Sequence, residues 1–591
     1  MRARSLLPCV AVALCAVFAP SASAAPPAPF GHACTPRDGA LFCPTADDAA
    51  RVPSFDGVPL DVDVWLPATG DGPFPTIVML HGFGGSKTDF QGPQPAGYNA
   101  MYFASKGYAV VLPSARGFGR SCGVPDSRTA GCERGWIHLD DQRYEARDVQ
   151  WLLARLVDQL VARPDQLGVT GVSYGGGASL ELAMLADRIR RPDGTTESWQ
   201  SPDGVPLSIA AAWARWPWSD LADALMPNGR LGLRTYASPV GVEIQAYEDG
   251  LYALANSTGF VAPVGADPEA DLTAWKQRVD RGEPYDANAR AILNKFHTYH
   301  GVLGLPIDKG ITPLLVQSGW TDDLFPVGQG LRIYDLLRQK SKTAPVALQL
   351  GDLGLARAAN HPADIAAFNA QGLAFFEARL KHSGKGPAPG SVTSYTQTCP
   401  RTATHGGGSY RASSFASLAR GELVFRHKAA QRVTSSGGDA ALSQKLSPLA
   451  LDPCKGVSDD VARGTAVATV RSPGLTLLGM THVRADVAVT GHNALLVGRL
   501  WDVDPATGHQ RLVDRGVVRL RSPKIVSFDL NGNAYKFARG HQIKVELLGR
   551  DSPTYRAANG TFSVTVSKLR IALPTRERRP GGGRSAAMGS A

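Results

Sequence analysis

A serine stands between two glycines in Gly171-Val-Ser-Tyr-Gly175, with the apolar run Leu167-Gly-Val-Thr170 before it and Gly-Gly-Ala-Ser-Leu180 after it. This spacing predicts a nucleophile elbow, a tight strand-to-helix turn that lifts the Ser173 hydroxyl above a sheet. Glycine is needed where strand and helix close on each other and where φ is positive. A serine hydroxyl is a weak nucleophile by itself. It needs a base, a group that orients the base, and donors for the oxyanion.

The donors follow from position. The backbone N–H of Tyr174 comes directly after the serine, and that of Phe83 lies in the glycine loop His81-Gly-Phe-Gly-Gly85 after an apolar strand. His81 belongs to that loop and is read as structural rather than as the base. The orienting acid is expected after a late strand, where Gly319-Trp-Thr-Asp-Asp-Leu-Phe-Pro326 offers Asp322 and Asp323. The base is expected after the strand Val346–Leu350. The first histidine beyond it is His361, whose imidazole would be the natural proton acceptor near neutral pH.

The elements that must hold these groups read as a parallel sheet covered on both faces. Compact apolar runs at Phe74–Leu80, Tyr108–Leu112, Leu167–Val172, Ile311–Gly319 and Val346–Leu350 alternate with helical periodicity at 140–160, 327–338 and 365–381. From 216 to 299 the rhythm breaks into short helical pieces rich in Ala, Leu, Trp and Tyr, predicting an inserted cap. Trp213, Trp216 and Trp218 beside it either line a pocket or pack the core. The expected organisation is a signal peptide at 1–24, an α/β domain at 51–384 with its helical cap at 216–299, a linker at 385–414, an all-β sandwich or jelly roll at 415–572, and a disordered tail at 573–591.

The motifs Arg116-Gly-Phe-Gly-Arg-Ser121, Glu145-Ala-Arg-Asp-Val-Gln-Trp151, Gly171-Val-Ser-Tyr-Gly-Gly176 and Ser318-Gly-Trp-Thr-Asp322 stand together here. Gly498-Arg-Leu-Trp-Asp-Val503, Gly540-His-Gln-Ile-Lys-Val545 and Asp551-Ser-Pro553 join them in the last third. On these the chain resembles the X-Pro dipeptidyl-peptidase (peptidase S15) and cocaine esterase-like serine hydrolases, over roughly Arg51 to Arg570. The resemblance implies that the α/β domain is an α/β-hydrolase domain with an inserted helical cap, followed by a jelly-roll domain. It selects Asp322 over Asp323 as the acid, and implies a peptide amide or small ester substrate cleaved through a Ser173 acyl-enzyme. It also implies a histidine four residues after the glycine that ends the late strand. That glycine is Gly351, and the residue at the base position is Leu355. Either His361 reaches Ser173 by another loop path, or Ser173 lacks its base and the protein is a degraded hydrolase that binds rather than turns over. Where some relatives use a tyrosine hydroxyl in the oxyanion hole, this chain has Phe83 and only a backbone donor.

Composition sets the remaining bounds. The chain has 591 residues, 43% hydrophobic and 19% charged, as expected of a folded protein large enough for several domains. Arg2 and Arg4 precede an apolar stretch and Ala22-Ser-Ala24, predicting export with cleavage, and the stretch is too short to span a bilayer. Six cysteines remain after the leader, which allows fifteen pairings. The favoured set is Cys34–Cys43, Cys122–Cys132 and Cys399–Cys454, suited to a secreted protein. No C-x-x-C or H-E-x-x-H spacing points to zinc, and no cofactor is expected. Of the net charge of +10, Arg2 and Arg4 and the Arg-rich tail hold about half, and no concentrated basic stripe marks the sequence, so nucleic acid is not an expected partner. Oligomeric state is left open.

Overall fold

A computed structural model describes residues 28–94, 97–229, 240–306, 310–355, 357–449, 452–459, 462–520 and 524–578. The expected signal peptide lies outside the described residues, as does the tail beyond 578.

An eleven-stranded sheet organises the first two thirds. Its spatial order is Thr35–Arg37, Ala40–Cys43, Val62–Pro67, Ala109–Pro113, Phe74–Leu80, Ala162–Val172, Ile209–Arg215, Leu314–Gly319, Val346–Gly351, Val392–Tyr395 and Ser409–Ala412. The strands from Ala109–Pro113 to Val392–Tyr395 run parallel to their neighbours, and those outside them pair antiparallel. Fully buried runs such as Phe74–Leu80 and Leu314–Gly319 occupy the centre because helices cover both faces. Helices Glu145–Asp158, Tyr174–Leu185 and Val327–Lys340 contribute to one apolar layer, and Ala100–Ser105 and Pro362–Leu380 to the other.

The sheet is wider than the sequence reading allowed. Hairpin Thr35–Cys43 extends one edge ahead of residue 51. The stretch 385–414, read as a linker from its Gly, Pro and Ser content, carries the two strands at the other edge. Short, half-exposed strands such as Ser409–Ala412 leave little apolar signal.

Between Arg215 and Leu314 the cap comprises helices Leu221–Leu225, Gln245–Thr258, Leu272–Asp280 and Ala287–Tyr299. Its apolar faces share one continuous core with the β-rich last third. That third has two antiparallel sheets. In the larger one Phe562–Thr575 pairs with His482–Gly491 on one side and with Gly421–His427 and Gln431–Thr434 on the other, and it runs to Thr575, past the expected boundary at 572. The smaller contains Val457–Ser458, His509–Arg519, Leu495–Asp504, Gln542–Leu548 and Ala466–Arg471. The cysteines pair as Cys34–Cys43, Cys122–Cys132 and Cys399–Cys454. No helix among the described residues is long and apolar enough to cross a membrane.

Candidate active site

Ser173 occupies the turn between Ala162–Val172 and Tyr174–Leu185 with φ 55° and ψ −112°. Such a backbone costs a non-glycine residue on the order of 1–3 kcal/mol and persists only where its surroundings fix it. Here they do. Ser173 N–H donates to Arg215 O at 3.0 Å and Gly175 N–H to His81 O at 2.9 Å. Gly176 and Gly177 N–H donate to Ser173 O at 2.8 and 2.9 Å. A methyl group on Gly171 would strike the Gly175 carbonyl, one on Gly175 the Leu80 carbonyl, and one on Gly176 the Arg215 carbonyl. The glycines are therefore set by the close approach of three strand ends to the helix.

Ser173 opens onto a cleft walled by the cap, with Phe83, Trp218, Trp275, Phe296 and Phe325 among its lining residues. Trp213 instead lies in the core against Tyr98 and Phe376. Phe83 and Tyr174 both line the cleft, and a methyl built on Gly82 would lie 4.0 Å from Ser173 Cβ, so the glycine loop passes beside the nucleophile. The Tyr174 hydroxyl is engaged behind the elbow, accepting from Asp140 N–H at 2.6 Å and donating to Glu145 Oε1 at 3.2 Å. Its backbone N–H heads the helix, where the first amides have no intrahelical partner. Phe83 and Tyr174, the residues that carry the candidate oxyanion donors, thus border the same cleft as the candidate nucleophile.

His81 Nε2 accepts from Ala115 N–H at 2.9 Å, which leaves Nδ1 to donate to Gly82 O at 2.7 Å. Burial holds its pKa down, so the ring is neutral and ties two strand-end loops together.

The two late acids have separate partners. Asp322 Oδ1 accepts from Leu324 and Phe325 N–H at 3.0 Å each, and Oδ2 accepts from Leu355 N–H at 3.2 Å. Burial pushes its pKa up to about 7 against the pull of those three amides. Asp323 makes a two-pronged pair with Arg357 at 2.9 and 3.0 Å and lies 3.5 Å from Arg515 of the β-rich part. Arg357 also donates to Val513 O at 3.3 Å. Asp322 is therefore the carboxylate that meets the residue at the base position, and Asp323 belongs to a buried ionic seam between the two halves. Nothing in the sequence announced Arg357, because its partners lie 34 and 156 residues away.

Leu355 is that base-position residue. Its amide is on Asp322, while its side chain packs against the apolar cluster that includes Tyr174 and Phe325. His361 is not brought to Ser173. It precedes helix Pro362–Leu380 as a buried residue, with Nδ1 2.6 Å from Ala403 O and Nε2 3.3 Å from Asp352 Oδ2, and the Asp352 carboxylate raises its pKa. Among the described residues no histidine lines the cleft over Ser173.

Behind Tyr174 lies a group the sequence reading passed over. Asp140, Glu145 and Glu181 are all buried, and burial, with repulsion from neighbouring acids that include Asp141, raises each pKa, that of Glu145 to about 7. Glu145 sits in the motif Glu145-Ala-Arg-Asp, the one available signal. It supports the elbow through Tyr174 without reaching the cleft.

Residues 56–190 match the family model of the X-Pro dipeptidyl-peptidase (S15 family). No curated protein matches the sequence. Among solved structures, a CocE/NonD family hydrolase from Staphylococcus aureus is 14% identical, covers 91% of this chain and 94% of its own, and superposes with a TM-score of 0.57. An aminopeptidase from the marine sediment archaeon Thaumarchaeota archaeon is 14% identical over 94% of this chain and 100% of its own, with a TM-score of 0.56. An α-amino acid ester hydrolase is 14% identical over 92% and 98%, with a TM-score of 0.54. At such identity the structural likeness is one of fold. Residues 56–190 are thus similar to the X-Pro dipeptidyl-peptidase (S15) family, and the chain as a whole shares the fold of these solved hydrolases.

Proposed function

We propose that this protein is an exported member of that hydrolase type which binds neutral, apolar esters over Ser173 and turns them over slowly. The carrying observation is the company Ser173 keeps: an apolar cleft and, among the described residues, no imidazole, with the Leu355 amide on Asp322 where a base is expected. In this reading Ser173 attacks the ester carbonyl, and the Phe83 and Tyr174 amides steady the oxyanion, a donor being worth about 3 kcal/mol. The serine proton goes to water, since among the described residues no histidine lines the cleft to take it. A site lacking one triad member keeps a residual ~10³–10⁴-fold advantage over water. His361 acts as a structural residue at the head of its helix.

Substrate polarity follows from the one carboxylate in the wall. Burial, with Glu243 nearby, raises the Glu248 pKa well above the usual carboxylate range, and Lys276 stands in the same wall, so a free amine finds a poor seat there. This favours an ester with an apolar acyl group over a dipeptide with a charged amino terminus. Export is supported by the leader-like start and the three disulfides.

The test combines a fluorophosphonate probe with nitrophenyl esters of increasing acyl length and with an Xaa-Pro anilide. Expected are labelling of Ser173, slow ester hydrolysis that improves with acyl length, and loss of both in Ser173→Ala. Preference for the Xaa-Pro anilide would overturn the substrate reading, and absence of label on Ser173 would overturn the chemistry.

A further inference from the structure

The basic residues that look scattered in the sequence meet on the outer face of the larger β-sheet. Arg426 pairs across from Arg570, and Arg570 from Arg484, so three guanidinium groups form one row over three adjacent strands. Neighbouring strands lie about 4.8 Å apart, so the row is tight. His427, Lys428 and Lys568 join it around an open trough. Like charges set opposite each other in a sheet destabilise it by roughly 0.2–1 kcal/mol per pair, and neutralisation here is sparse. Glu422 lies 3.5 Å from Arg570 and Asp486 2.7 Å from Lys568. Arg426, Lys428 and Arg484 have no ion-pair partner among the described residues.

The backbone adds a second observation. The register between His482–Gly491 and Phe562–Thr575 shifts between Arg484 and Asp486, and Lys568 opposite has φ 47°. A bulge of this kind re-aims a side chain and is held at some cost where it serves a purpose. It leaves the Lys568 side chain 77% exposed beside the arginine row.

We propose that this face is a docking surface for an anionic polysaccharide carrying sulfate or carboxylate groups. Guanidinium groups in line suit a linear chain of such anions, each taken by paired N–H donors. Among the described residues no Phe, Tyr or Trp lines the trough and His427 is its one ring, so there is no extended platform on which successive nucleic-acid bases would stack. Ala485 is its one apolar lining residue and is buried, so nothing is offered to a lipid surface for insertion.

The test measures binding of the full chain to immobilised heparin and to polygalacturonate over a salt series. Arg426→Gln with Arg484→Gln is compared with Arg290→Gln with Lys385→Gln, which removes equal charge from exposed sites elsewhere. Expected is about a tenfold loss of affinity and a shallower salt slope for the first pair alone, with ester hydrolysis and thermal midpoint unchanged in both. Equal loss in the two pairs would mean that only bulk charge acts and would overturn the proposal. So would tighter binding to a single-stranded oligonucleotide or to phosphatidylglycerol vesicles than to either polysaccharide.

Discussion

Replacing Leu355 with histidine tests the account of Ser173 most directly. The residue 355 amide is already 3.2 Å from Asp322 Oδ2, so an imidazole on the same Cα starts beside the carboxylate that would orient it. The Asp322 carboxyl, pushed up to about 7 by burial, would gain a cationic partner and ionise more readily. A positioned general base contributes typically ~10²–10⁴-fold, and an unrefined one belongs at the lower end. The expected gain in kcat/KM on a short apolar nitrophenyl ester is about 10²-fold, or about 2.7 kcal/mol of transition-state stabilisation. The rate should rise with pH as the new imidazole loses its proton. Three comparisons make the result decisive: the gain must vanish in Ser173→Ala with Leu355→His, shrink in Asp322→Asn with Leu355→His, and be absent from His361→Ala. A folded Leu355→His protein with wild-type rates would refute the reasoning. So would a collapse of wild-type hydrolysis in His361→Ala at unchanged stability, which would restore His361 as the base.

Other outcomes follow from the same geometry. Asp323→Ala leaves Arg357 and Arg515 buried without their shared carboxylate and is expected to lower the free energy of unfolding by about 3–5 kcal/mol in denaturant melts. The Asp352 carboxylate raises the His361 pKa above the usual 6.5, so its stabilising contribution is whole below that pH and fades as pH rises through the folded value. The gap in thermal midpoint between wild type and His361→Gln should narrow from about pH 6 to about pH 9; a constant gap would exclude a charged pair. Gly175→Ala drives a methyl into the Leu80 carbonyl, backbone that cannot yield, and should cost about 1–3 kcal/mol together with fluorophosphonate labelling.

The elbow was readable because its constraints are local: five residues and their glycines carry the turn. The central strands and long helices were readable from unbroken apolar runs and helical period. The fate of the acids was not, since Asp322 and Asp323 are adjacent and differ only in what the fold brings to them, an amide from residue 355 for one and guanidinium groups from 357 and 515 for the other. His361 was a reasonable candidate by order along the chain, yet its ring turns to Ala403 and Asp352. The arginine row left no stripe because each strand contributes one guanidinium group to it. Helix Ala287–Tyr299, with four buried residues among its thirteen, was masked by the polar ones between them.

The edge strands Val392–Tyr395 and Ser409–Ala412 change how the chain can be divided. Between them Gln397 N–H donates to Ala534 O, and Cys399 is bonded to Cys454. A fragment ended at 384, where composition suggests a seam, would leave Val346–Gly351 as a naked rim with its amides open to pairing with other copies. Recombination that exchanges the β-rich module at that seam would inherit the same defect, so the two halves of this molecule must travel together from at least Val392 onward.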